Sequence, residues 1–257
     1  MDAVRLEVQD AIATITLNRP EKYNALSNEI KEGLRRSLEQ VKQDDSIRVL
    51  VLTGAGKAFS GGGDINGMGK SDLISGRKRL QQIHEVVLTL FNLEIPVICA
   101  VRGACVGAGL SLALACDVVI ASETAKFSAI FRRVGLAPDA GAIYFLSRHL
   151  GLARAKELVF SARLLPANEA RDMGLIATMV EDGQLESAAQ ELAQDYAGAP
   201  TRALAMGKRM FQFMGAPTLE GLLEMEALIQ PQLLVGSDHQ EGIAAFLEKR
   251  PAVFTGH

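Results

Sequence analysis

Two glycine-rich turns, Ala58-Phe59-Ser60-Gly61-Gly62-Gly63-Asp64-Ile65 and Arg102-Gly103-Ala104-Cys105-Val106-Gly107-Ala108-Gly109, each close a strongly apolar segment, and neither carries the side chains of a nucleophile or a metal site. What they offer is bare backbone N–H groups. Where glycine and alanine let a substrate oxygen approach the main chain, two converging donors can hold a developing negative charge in a water-poor pocket. Thioester enolate chemistry has that physical requirement. Other readings of these residues fit less well. Gly54-Ala55-Gly56-Lys57-Ala58-Phe59 follows a strand but has Phe59 where a dinucleotide fingerprint needs its third glycine. Val51 stands where a Walker A loop would need its first. Ser111, within Gly109-Leu110-Ser111-Leu112, is not on a GxSxG elbow, and a serine inside an apolar helix usually bonds back to the backbone.

The turns sit in an alternation of strands and helices. Val4 to Val8 and Ala11 to Leu17 read as a hairpin ending at Asn18-Arg19-Pro20, and Ile30, Leu34, Leu38 and Val41 mark a helix over 28–42. Strands are expected over 48–53, 96–101 and 117–121, with helices over 80–93, 107–116 and 140–150, the last ended by Gly151. The pattern persists to about residue 181 and argues an α/β architecture. Helical periodicity then covers 183–197, 201–214, 218–234 and 237–249.

The 257 residues, 48% of them hydrophobic, can bury a substantial core. The apolar run from Ile95 to Ala121 is interrupted by Arg102 and Asp117, so it reads as core, not as a membrane span. A net charge of −3 and the absence of a long basic run disfavour nucleic acid. Cys99, Cys105 and Cys116 lack CxxC spacing, and the four histidines form no ligand pattern, so no metal is expected. The N-terminal residues show neither a signal peptide nor a transit peptide, and the expected location is the cytoplasm.

Five blocks together resemble the successive signatures of the crotonase, or enoyl-CoA hydratase/isomerase, superfamily. They are Asn18 to Leu26, Thr53 to Asp64, Gly103 to Asp117, Gly135 to Pro138, and Glu241 to Arg250. The resemblance implies an α/β spiral of repeated ββα units over residues 1–196 and a helical trimerisation region over 197–257, forming trimers or hexamers. It also implies an acyl-CoA thioester as substrate, with no cofactor beyond the coenzyme A that the substrate carries. The oxyanion donors would be the amides of Gly63 and Ala108. Lys22, Ala25, Gly61, Asp64, Ile65, Val106, Phe131, Val134, Phe246 and Lys249 would border the substrate.

The acids discriminate among reactions. The two glutamates with which family hydratases activate water fall on Ser111 and Phe131, neither of which can act as acid or base near neutral pH. Asp139 resembles the acid/base residue of the double-bond isomerase branches, including dienoyl-CoA and ring-epoxide isomerases. From local sequence its role stays open. Pro138-Asp139 before an apolar run is a good helix N-cap, which would lower the carboxyl pKa, whereas burial against Phe131, Val134 and Leu136 would raise it. Asp64 and Asp117 read as residues that fix their adjacent turns. The expected activity is double-bond isomerisation in an enoyl-CoA, with Asp139 moving the proton. The alternatives are a hydratase relying on Asp139 alone and a CoA-thioester-binding protein without catalysis.

Overall fold

A computed structural model describes residues 2–64, 72–213 and 218–256. The chain opens with β1 (Val4–Gln9) and β2 (Ile12–Leu17) as an antiparallel hairpin, followed by α1 (Asn28–Gln43). One pattern then recurs: β3 (Val49–Gly54), β4 (Ala58–Ser60), α2 (Leu73–Asn92); β5 (Val97–Val101), β6 (Ala104–Val106), α3 (Ala108–Leu114); β7 (Val118–Ser122), β8 (Lys126–Ser128), α4 (Ala142–Ser161). The first strand of each unit joins one sheet and the second joins another. The larger sheet runs β1-β2-β3-β5-β7 and ends on β10 (Thr178–Val180), parallel from β2 onward. The smaller runs β4-β6-β8-β9, with β9 at Leu165–Pro166 followed by α5 (Ala167–Asp172).

Val49-Leu50-Val51-Leu52 is an unbroken apolar run because both faces of its strand are covered. Leu50 and Leu52 face the main core with α1 and α2, while Val49 and Val51 face α6 (Leu185–Gly198) through Leu185, Ala189 and Ala193. The period-two alternation of a strand thus serves two cores. All three cysteines are buried and unpaired by disulfides.

The expected helices form, with shifted limits. The helix expected over 80–93 begins earlier, at Leu73, where the Asp72 carboxylate accepts from the Ile74 and Ser75 amides. Gly151, with a non-helical φ of 73 and ψ of 164, ends the helix expected over 140–150, and a second helical segment runs on from it to Ser161 within α4. The smaller sheet was not expected, because its strands are two or three residues long and lie inside the glycine-rich stretches. The turn into β6 requires glycine, since Gly103 has φ +57 and a Cβ there would meet the Lys57 carbonyl oxygen at 1.9 Å.

The chain ends in α7 (Thr201–Phe213), α8 (Leu219–Leu234) and α9 (Ser237–Glu248). Arg48 ties this region to the sheet, donating to Thr201 Oγ1 at 2.8 Å and to the carbonyls of Ala199 and Phe254. Lys208 on α7 pairs with Asp117 at 2.8 Å, and Asp117 also accepts from the Val97 amide at the start of β5. Burial pushes the Asp117 carboxyl up against the pull of Lys208. Among the described residues no helix is long and apolar enough to cross a membrane, and no histidine, cysteine and carboxylate cluster could hold a metal ion.

Candidate active site

The two glycine-rich turns meet because β4 and β6 are parallel neighbours in the smaller sheet. Past their ends the chain leaves as Gly61–Asp64 on one side and as Gly107 and α3 on the other. Gly62 has φ +87, and a Cβ on it would lie 2.8 Å from the Val106 carbonyl oxygen and 3.6 Å from the Ala108 nitrogen. The two strands approach this closely only without that side chain.

Buried polar groups fix the first turn. Asn24 Nδ2 donates to the carbonyls of Ala55 (2.9 Å) and Ala58 (2.8 Å), while its Oδ1 accepts from the Arg19 amide. Ser60 Oγ donates to the Asn24 carbonyl and accepts from the Gly62 amide. The Gly61 amide bonds to Tyr23, the Leu26 amide to Gly62 and the Gly107 amide to Ser128. With those donors engaged, the amides of Gly63 and Ala108 have no acceptor among the described residues. Ala108 opens α3, where an amide has no intrahelical partner.

Asp139 reaches the same place from the segment between a 3-10 turn (Ile130–Val134) and α4. It does not cap that helix. The N-cap is Gly141, and no side chain bonds to the helix end. It is the backbone of Asp139 that is occupied, its carbonyl accepting from Ser111 Oγ and the Ala142 amide, each at 3.0 Å. The side chain is left free: Oδ1 is buried and has no hydrogen-bond partner. Burial pushes the carboxyl above its ordinary value, while the charges of His84 and Arg79 pull it back. A buried carboxylate oxygen left bare is costly and rare, and sites that hold reactive groups are where such costs are tolerated.

Gly63, Ala108 and Asp139 border one cavity of about 420 Å³, together with Leu26, Lys31 and Asp64. Glu29 also borders it, but its carboxylate bonds to Ser27 and Arg19, which hold it below the usual range. Ser111 is fully buried and Phe131 nearly so, hence neither puts an acid into the cavity. Of the other expected substrate contacts, Gly61 lies on the first turn, Ala25 and the exposed Lys22 lie in the segment before α1 that bonds to it through Tyr23 and Leu26, and Val106 is buried at the end of β6. Phe131 packs in the main core. Val134 is exposed, so burial of Asp139 does not depend on it. Ile65 lies outside the described residues. Phe246 and Lys249 are not brought to this cavity within one chain, since Phe246 lines a separate one of about 590 Å³ between the C-terminal helices. Sequence reasoning missed Arg79, Lys31 and Asn24. Asn24 had one usable signal, its place in a turn-forming block where it adopts φ 52.

Comparison with known proteins matches the chain to one family. The family described as Enoyl-CoA hydratase/isomerase covers residues 7–257. The chain is 38% identical over 262 residues to the 1,2-epoxyphenylacetyl-CoA isomerase of Escherichia coli, covering 100% of this chain and 99% of that one. It is 39% identical over 254 residues to the "Probable enoyl-CoA hydratase" of Rhodobacter capsulatus, covering 98% of each. The crystal structure of an enoyl-CoA hydratase from Bacillus anthracis superposes with a TM-score of 0.95 at 32% identity, over 99% of this chain and 100% of that one. The chain therefore belongs to the enoyl-CoA hydratase/isomerase family and has the crotonase fold. Members of this family are enzymes acting on CoA thioesters.

Proposed function

We propose that this enzyme moves a double bond along the acyl chain of an enoyl-CoA, with Asp139 as the acid/base group and the Gly63 and Ala108 amides as the oxyanion donors. The observation that carries the reading is the bare, buried Oδ1 of Asp139 in the same cavity as two unengaged amides. The thioester oxygen sits between the amides. Asp139 removes a proton from the carbon next to the carbonyl, the electron pair moves into the enolate, and the protonated carboxyl returns its proton farther along the chain. The amides act on charge present only after proton removal, so they favour the transition state over the ground state. The coenzyme A thioester supplies the electron sink, and the reaction asks for no further cofactor.

Isomerase chemistry is favoured over hydration because neither position that the resemblance assigns to a hydratase glutamate carries a carboxylate. Ser111 and Phe131 occupy the places that the resemblance assigns to the hydratase glutamates, and both are buried. The similarity to an isomerase named for a phenylacetyl-CoA epoxide supports the same branch. As part of this proposal the chain works in the cytoplasm as a trimer or hexamer, with Phe246 and Lys249 serving a neighbouring subunit's CoA. The test is to assay a 3-enoyl-CoA and crotonyl-CoA side by side. Isomerisation of the first should far outpace hydration of the second. Comparable rates would favour a hydratase, and no turnover of either would favour a binding protein.

A further inference from the structure

The wall of the cavity formed by α1 and α2 carries Lys31, Arg79 and the exposed Lys78, and the two less exposed cations, Lys31 and Arg79, make no ion pair with a carboxylate among the described residues. Lys31 on α1 is only 5% exposed, and its Nζ bonds to a neutral group, Gln82 Oε1, at 3.0 Å. Arg79, half-buried on α2, makes no hydrogen bond or ion pair among the described residues. Elsewhere the less exposed arginines are engaged: Arg102 with Asp182 and Glu186, Arg163 with Glu157 and Glu169, and Arg48 with Thr201 and two carbonyls. Burial pushes the Lys31 amine down, and the charge of Arg79 adds to that push. Of the carboxylates at the cavity, Glu29 pairs with Arg19, and Asp139 feels the charge of Arg79 without forming an ion pair with it. Residues 65–71, between Asp64 and α2, contain no aspartate or glutamate. A desolvated ammonium beside a second cation is unfavourable until an anion arrives.

We propose that the acyl group taken into this cavity ends in a carboxylate, which is held between Lys31 and Arg79 while the thioester sits at the Gly63 and Ala108 amides. This rests on the CoA-thioester reading and narrows it to acyl-CoA esters of dicarboxylic acids. The phosphates of coenzyme A are a poorer match. The pantetheine arm separates them from the thioester, whereas both cations border the same cavity of about 420 Å³ as the amides and Asp139. A carboxylate there accepts charge-assisted hydrogen bonds from both cations and also fixes which carbons face Asp139.

Binding of saturated esters tests this independently of turnover. Adipyl-CoA, hexanoyl-CoA and free coenzyme A are titrated calorimetrically into the wild type, Lys31→Met and Arg79→Gln. Lys31→Met removes a desolvated charge at similar volume, and its melting temperature should not fall. The wild type should bind adipyl-CoA about tenfold more tightly than hexanoyl-CoA, and each variant should lose most of that preference while holding hexanoyl-CoA within about twofold. Equal affinities in the wild type would overturn the proposal. So would an equal loss on both esters, and a parallel loss on free coenzyme A would place the cations on the phosphates. If the preference is found but no 3-enoyl-CoA is isomerised, the reaction reading fails and the acyl subsite stands.

Discussion

Asp139 was visible in the sequence as a residue with two incompatible roles, and only the backbone around it separates them. As an N-cap its oxygen would accept an amide and its pKa would fall. Instead Gly141 takes the cap position, Ala140 and Gly141 both have positive φ, and the carboxyl makes no bond to the end of α4 and has a raised pKa. A base must be ionised to work, so kcat/KM should fall as pH drops through the carboxyl pKa, with an acid limb above the ordinary 3.8. Arg79 favours the ionised form, and removing its charge raises that pKa. Arg79→Gln should therefore move the acid limb to higher pH while the activity on the alkaline plateau changes little for an uncharged acyl chain. A limb that stays put or moves down in the pH–rate profile would contradict the electrostatic role. Lys31 and Arg79 were not legible in the sequence, because the polar side of an amphipathic helix does not reveal which of its charges will face another helix.

At the scale of elements, the sequence displayed what periodicity can display: α1 from Ile30, Leu34, Leu38 and Val41, the buried run of β3, and the helices of the C-terminal region. It hid the smaller sheet, whose strands are too short to alternate and whose glycines read as turns. Yet that sheet assembles the site, because the pairing of β4 with β6 sets Gly62 against Ala108. Gly62→Ala should consequently separate the two amides without touching the base. The expected effect is a fall in kcat of about a hundredfold, the scale of losing one oxyanion donor, with a smaller change in affinity for a saturated CoA ester. Steady-state kinetics beside calorimetric binding checks this. An unaltered kcat would mean that the approach of the two turns is only structural.

In the whole molecule, Arg48 and Lys208 tie α7 to the sheet, while α7 to α9 and their connections leave Phe211, Val235, Phe246 and Leu247 more than 70% exposed. A surface this apolar suits burial against further copies of the chain. Under the proposed function, Lys249 serves the CoA of a neighbouring subunit across such an interface. Lys249→Glu should raise the KM for CoA esters without a matching fall in kcat, and the effect should shrink at high salt. An unchanged KM at low salt would remove Lys249 from the site. The central claim rests on Asp139, and the most direct measurement is the isomerisation rate of a 3-enoyl-CoA by Asp139→Asn, with CoA-ester binding measured in parallel. The amide keeps the volume but cannot cycle a proton. The account predicts a loss of about a thousandfold or more in kcat at nearly unchanged binding. Near-wild-type turnover by Asp139→Asn would contradict it.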